Sequence, residues 1–214
     1  NSNKLINLRN DIETCKLFFT ANNHNIKHTV VKLLSNKTCN DYLEACLRDV
    51  EKFGGYELNR HDHYPTTDKM ITDEWEKFGE LKELLNSRIY SIFAKLFNIY
   101  DDDLVEVEEL FFVKYEYNEN TQKHLDIHQD GSVMSFVLAL NDTYADGGTH
   151  FILTDDHVKL QKGECVFFSG KQYHQGMPIT SGVRYIITGF LNYKDTDLCK
   201  NILHREFDII TNGL

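Results

Sequence analysis

The sequence predicts an α+β fold, with helices in the first hundred residues supporting a β jelly roll. Three observations predict it. Before position 97, apolar residues recur at helical spacing. After Asp101 they change to runs of strand length, rich in β-branched and aromatic residues. Glycine turns punctuate those runs, and many short strands closing on themselves give a roll whose mouth can hold a buried site.

The first element is a helix. Thr38 followed by Asp41 resembles a capping box, and Tyr42, Leu43, Cys46, Leu47, Val50 and Phe53 follow at helical spacing until Gly54-Gly55 stops it. Residues 56–70 are polar and turn-like. A second helix is expected from Asp73 to Phe97, with Trp75, Phe78, Leu81, Leu85, Ile89, Ile92, Phe93 and Leu96 on its apolar face. Strands are expected over 105–117, 133–141, 149–153, 164–168 and 184–193. Asp146-Gly147-Gly148, Lys162-Gly163 and Ser181-Gly182 mark turns between them. The tail beyond Tyr193 carries Leu198, Ile202, Leu203, Phe207, Ile209 and Ile210, suited to covering the roll or a partner chain. The expected organisation is one domain over 1–214: mainly helical support to 100, β core over 101–193, and an extension over 194–214.

Composition narrows the function classes. The 214 residues are 41% hydrophobic and 12% aromatic, enough for a sizeable core. No apolar run approaches the ~18 residues of a membrane span. A net charge of −10 opposes binding to nucleic acid or anionic membrane and weakly favours a basic peptide. The chain starts Asn1-Ser2-Asn3, which reads as an excised domain or processed product. None of the five cysteines forms a C-x-x-C pair; Cys39 and Cys46, seven apart on the first helix, read as buried thiols. Of two N-x-T sequons, Asn141 ends a core strand and is discounted, which leaves Asn36.

The chemistry lies in His128-Gln129-Asp130, His174 and Arg184. Two imidazoles and a carboxylate hold iron(II) on one side and leave positions free for a cosubstrate and oxygen. In a strand, His128 and Asp130 share a face while Gln129 points away, and His174 comes from another strand across the barrel. Arg184 opens an apolar strand, where a charge is costly without a partner. Its planar fork fits the far carboxylate of 2-oxoglutarate. Tyr115, on the strand before the metal motif, offers a second hydrogen bond, with Tyr117 in reserve. His61-Asp62-His63 is a compact cluster for a speculative second metal, more simply read as a polar turn. Asp68 and Thr67 are candidates for the substrate mouth. Asp142, Asp146, Asp155 and Asp156 are candidates for reading a substrate lysine.

These residues resemble the catalytic domain of the collagen lysyl hydroxylases, the procollagen-lysine 2-oxoglutarate 5-dioxygenases. His174-Gln175-Gly176-Met177-Pro178, Gly182 and Arg184-Tyr185-Ile186 are similar to that family's H-x-G-x-P-x-x-x-G-x-R-Y-I segment. His128-Gln129-Asp130, Ala139-Leu140-Asn141, Gly147-Gly148 and Phe151 are similar to its H-x-D, A-L-N and G-G-x-x-F stretch. Gly54-Gly55-Tyr56, Pro65-Thr66-Thr67-Asp68 and Trp75 match its upstream pattern, so the resemblance spans roughly residues 30–193. It implies a double-stranded β-helix (cupin-like) with flanking helices. It implies iron held by His128, Asp130 and His174, and 2-oxoglutarate held by Arg184 and Tyr115. O2 is then the co-reactant, L-ascorbate the supporting reductant, a collagen-like peptide the substrate, and a homodimer the assembly. It also implies the endoplasmic reticulum lumen, or a host cell or virion for a giant-virus member, which the Asn-, Ile- and Lys-rich composition brings to mind. Gln129 and Val137 depart from the family's histidine and asparagine, and the tail is longer. The alternatives are a prolyl 4-hydroxylase or other 2-oxoglutarate oxygenase with the same metal site, and a non-catalytic jelly-roll dimerisation module.

Overall fold

The computed structural model describes residues 28–58, 66–96, 105–118 and 122–194. Helix α1 (Asn36–Lys52) is capped by Ser35, whose Oγ accepts from the Thr38 amide at 3.1 Å. The expected cap at Thr38 is therefore one turn too late; Asp41 instead pairs with Lys37 at 2.7 Å. Gly54 and Gly55 end the helix with φ of 87° and 89°. Cys39, Tyr42, Cys46 and Val50 are buried as expected, whereas Leu47 is exposed.

The second predicted helix begins later and is interrupted. Residues 73–77 are turns, fixed where the Glu76 amide donates to the buried Asp49 carboxylate at 2.9 Å. Helix α2 (Phe78–Leu84) then passes through a π-turn (Leu85–Ile89) into α3 (Tyr90–Leu96). Leu81, Leu85, Ile89 and Phe93 are all buried at a strict spacing of four. Such a spacing overruns a 3.6-residue turn by ~40° each step, and the wider π-turn takes up the drift.

Two sheets form the roll. The larger runs β1 (Thr29–Lys32), β9 (Glu164–Ser169), β5 (Met134–Ala139), β11 (Ile179–Tyr193), β3 (Val105–Glu116) and β2 (Asp68–Met70), and β6 (Tyr144–Asp146) also pairs with β11. The smaller runs β4 (Leu125–His128), β10 (His174–Gly176), β7 (Thr149–Phe151) and β8 (Asp156–Val158). Every strand pair is antiparallel. The N-terminal part also supplies β1 and β2, which form the edges of the larger sheet.

The larger sheet is apolar on both faces, so the alternation along its strands divides two cores. Leu110, Phe112, Phe136, Phe167 and Ile187 pack with the helices. Phe111, Val113, Val137, Phe168 and Ile186 face inward between the sheets. The functional cavity opens on that second face.

Candidate functional site

β4 and β10 are neighbours in the smaller sheet, and His128 and His174 are direct register partners. His174 therefore comes from the adjacent strand, not from across the barrel as expected. The ring centroids are 4.3 Å apart. Asp130, just past the end of β4, turns its carboxylate between them: Oδ1 lies 3.4 Å from His128 Nε2, and Oδ2 3.7 Å from His174 Nε2. One ligand atom from each residue falls within 4.8 Å of the others.

The surrounding bonds aim those atoms. His128 Nδ1 lies 2.7 Å from the Asp126 carbonyl, and His174 Nδ1 lies 2.9 Å from the Gln172 carbonyl. Carbonyls only accept, so Nδ1 of each neutral ring carries the proton and Nε2 keeps its lone pair. Ser135 Oγ donates to Asp130 Oδ2 at 2.5 Å, and the Asp130 amide donates to the Gly170 carbonyl at 2.8 Å. Burial alone would raise the Asp130 carboxyl; His174, His128 and the Ser135 hydroxyl outweigh it and hold the carboxyl below its ordinary value. Burial lowers the His174 imidazole, against the opposing pull of Asp130. Both shifts favour the deprotonated forms that a metal requires.

The cavity encloses about 550 Å³ between the two sheets. Arg184 lies in its wall, 3% exposed, opposite Tyr115 on β3. The guanidinium carbon sits 5.1 Å from the Tyr115 ring centroid. Nη1 donates to the Gly148 carbonyl at 3.2 Å, while the buried Nε has no hydrogen-bond partner. Among the described residues no carboxylate forms an ion pair with it. A buried cation of this kind is expensive unless a ligand completes it, and a carboxylate is the matching ligand.

Other expectations fare differently. Tyr117 lies beyond β3, is 56% exposed, and does not line the cavity. Asp68 does line it, with Thr66 rather than Thr67 beside it; the Thr66 hydroxyl donates to the Asp68 carboxylate. Asp142, Asp146, Asp155 and Asp156 lie elsewhere: Asp142 accepts from the Lys162 amide, Asp146 from the Thr180 hydroxyl, Asp155 approaches His150, and Asp156 approaches His28. None of the four lines the cavity. Beside Asp68 and the ligand-type Asp130, the acidic side chains at its wall are Glu108 and Glu109, which the sequence reading missed. β3 is bulged there, opposite Phe190 and Leu191. Two consecutive glutamates breaking the alternation of Val105 to Glu108 were the available signal. Val137 lines the cavity where the resemblance led to an expected asparagine. His61 and His63 lie outside the described residues.

No protein-family model matches the chain. Among curated proteins it is 28% identical over 180 residues to the multifunctional procollagen lysine hydroxylase and glycosyltransferase of Rattus norvegicus, covering 75% of this chain and 22% of that protein. It is 31% identical over 150 residues to procollagen-lysine,2-oxoglutarate 5-dioxygenase 1 of Gallus gallus, covering 65% of this chain and 19% of that one. It is 37% identical over 93 residues to the procollagen lysyl hydroxylase and glycosyltransferase of Acanthamoeba polyphaga mimivirus, covering 41% and 10%. The chain therefore spans less than a quarter of the length of these three relatives. Among solved structures, a Pseudomonas putida prolyl-4-hydroxylase superposes with a TM-score of 0.63 at 15% identity, covering 85% of this chain and 99% of that one. The viral collagen prolyl hydroxylase of Paramecium Bursaria Chlorella virus-1, in its 2OG complex, superposes with a TM-score of 0.53 at 13% identity, covering 77% and 94%. The resemblance to collagen lysyl hydroxylases is borne out by these relatives, and the fold is the double-stranded β-helix.

Proposed function

We propose that this chain is an iron(II)- and 2-oxoglutarate-dependent dioxygenase that hydroxylates lysyl side chains of collagen-like peptides, giving 5-hydroxylysine, succinate and CO2. The observation that carries this reading is the convergence, in one cavity, of the His128–Asp130–His174 cluster and an Arg184 guanidinium with an unmet buried donor. His128 Nε2, the Asp130 carboxylate and His174 Nε2 would hold the iron, and Arg184 with Tyr115 the far carboxylate of 2-oxoglutarate. When bound, the pair supplies oxidative decarboxylation of the oxo-acid coupled to insertion of one oxygen atom of O2 into a substrate C–H bond.

The chain's own residues do the rest. The backbone carbonyls of Asp126 and Gln172 fix both imidazoles in the ligating tautomer. Ser135 holds the carboxylate's orientation. Phe111, Phe168, Val137 and Ile186 wall the cavity and exclude water. A lysyl ammonium needs a carboxylate on its way in, and Glu108, Glu109 and Asp68 lie in the cavity wall. The lysine hydroxylases among the relatives support the same choice. The resemblance adds ascorbate as supporting reductant and a homodimer to the proposal.

The test is paired. Full chain, iron(II), 2-oxoglutarate and ascorbate are incubated with collagen-like peptides carrying either Lys or Pro, and the products are read by mass spectrometry. A gain of one oxygen on Lys, with stoichiometric succinate, is expected. Hydroxylation of the Pro peptide alone would transfer the assignment to a prolyl hydroxylase. No oxo-acid turnover with either peptide would remove the enzyme.

A further inference from the structure

The smaller sheet carries a second convergence of ligand-type side chains on its outer face. Phe151 pairs with His174 in the register and is fully buried on the inner side, so His150, one residue earlier, points outward. His150 on β7 and His157 on β8 are register partners across the hairpin. Their rings stack with centroids 4.0 Å apart and planes at 15°. Asp155, in the turn between these strands, adopts a left-handed backbone with φ 57°. That conformation returns its carboxylate over the hairpin: Oδ1 lies 2.8 Å from His150 Nε2 and 3.9 Å from His157 Nε2. One ligand atom from each of the three lies within 4.8 Å of the others.

A further contact orients the cluster. Gln175 on β10 is the register partner of His150 on its other side, and its side-chain amide lies 3.0 Å from His150 Nδ1. Gln175 Nε2 donates to His150 Nδ1, so Nε2 of the neutral ring carries the proton that bridges to Asp155 Oδ1, and a metal ion would take that proton's place between ring and carboxylate.

We propose that His150, Asp155 and His157 form a second metal site, for a divalent first-row transition ion of the zinc class. Two imidazoles and one carboxylate favour such an ion over calcium or magnesium, which take oxygen ligands. The side chains of Asp155 and His157 are 87% and 57% exposed, so water completes the coordination and the ion exchanges with solvent. Bound there, it ties β7 to β8 at the tip of the hairpin, next to the strand that carries His174. The site acts as a clamp on the smaller sheet and takes no part in the inner chemistry.

The experiment counts zinc on metal-stripped full-length chain by equilibrium dialysis against zinc chloride, for the parent, Asp155→Asn and His157→Ala. Asparagine tolerates a left-handed backbone, and both positions are exposed, so each variant should keep the parent's circular dichroism. Each is expected to bind one zinc fewer than the parent at the same free concentration, with at least a tenfold weaker constant for that equivalent. A variant that retains the parent's full count and affinity overturns the proposal. The count is a difference between chains that share the inner cluster, so its outcome is independent of whether His128, Asp130 and His174 hold iron.

Discussion

Ser135 Oγ donates to Asp130 Oδ2 at 2.5 Å, and through that bond β5 of the larger sheet sets the angle of a carboxylate that sits beside two histidines of the smaller one. Ser132 Oγ lies 2.9 Å from Ser135 Oγ and continues the chain of hydroxyls. Partners of this kind typically contribute 10- to 100-fold in metal affinity. Ser135→Ala should therefore weaken iron(II) binding by roughly that factor, measured by anaerobic titration, with little change in melting temperature of the metal-free chain. Unchanged affinity in a folded variant would show that Asp130 holds its orientation without Ser135.

Arg184 gives a prediction that does not depend on turnover. Its guanidinium is buried and its Nε is unmet, so the ligand-free chain carries a desolvated cation. Replacing it by an apolar side chain of similar length relieves that cost. Arg184→Met should melt higher than the parent without 2-oxoglutarate, and should gain nothing when the oxo-acid is added. The parent should gain about 2.7 kcal/mol at a hundredfold excess over its dissociation constant. Equal stabilisation of both chains by 2-oxoglutarate would remove Arg184 from the binding site.

The inner cluster was legible because its residue types and offsets are few and chemically constrained. The partner strand was not: His174 lies beside His128 through a three-residue strand, too short to show a period. The same holds for β6 and β8, and for β2 within a segment that reads as turn. β11 begins at Ile179, five residues before the expected Arg184, because Thr180, Ser181 and Gly182 are exposed and carry no apolar signal. Helix α1 was read nearly whole, since its buried face is periodic. The π-turn was hidden, because a spacing of four reads as ordinary helix until the drift is added up over three steps.

Gly189 illustrates packing that only the coordinates disclose. It lies on β11 between β3 and β5, and a Cβ there would sit 2.3 Å from Phe136 Cε1 and 2.9 Å from Leu110 Cδ2. Both neighbours are buried in the helix-side core and cannot swing into solvent. Gly189→Ala should destabilise by about 3 kcal/mol, the upper end of ordinary overpacking. Phe136→Leu should relieve part of that strain, so the double variant should lose less stability than the two single losses combined. Strict additivity in denaturant unfolding would locate the cost elsewhere.

The buried thiols set a pH limit on stability. Burial, with a smaller contribution from Asp49, pushes Cys46 from an ordinary 9.0 up to about 12, and burial also raises Cys39 and Cys165. At pH 8 these three groups are protonated and enclosed, so peptide-resolved alkylation of the native chain should leave them unlabelled while a denatured control reacts. The linkage has a definite sign: between pH 9.0 and about 12 the unfolded chain loses the Cys46 proton while the folded chain keeps it. The folded state binds more protons there, and stability falls as pH rises. Cys46→Ala removes this one contribution. Its unfolding free energy should decline less steeply above pH 9 than the parent's, by up to about 1.4 kcal/mol per pH unit, and run parallel to it below. Parallel curves across the whole range would mean that the Cys46 thiol titrates as an exposed group does.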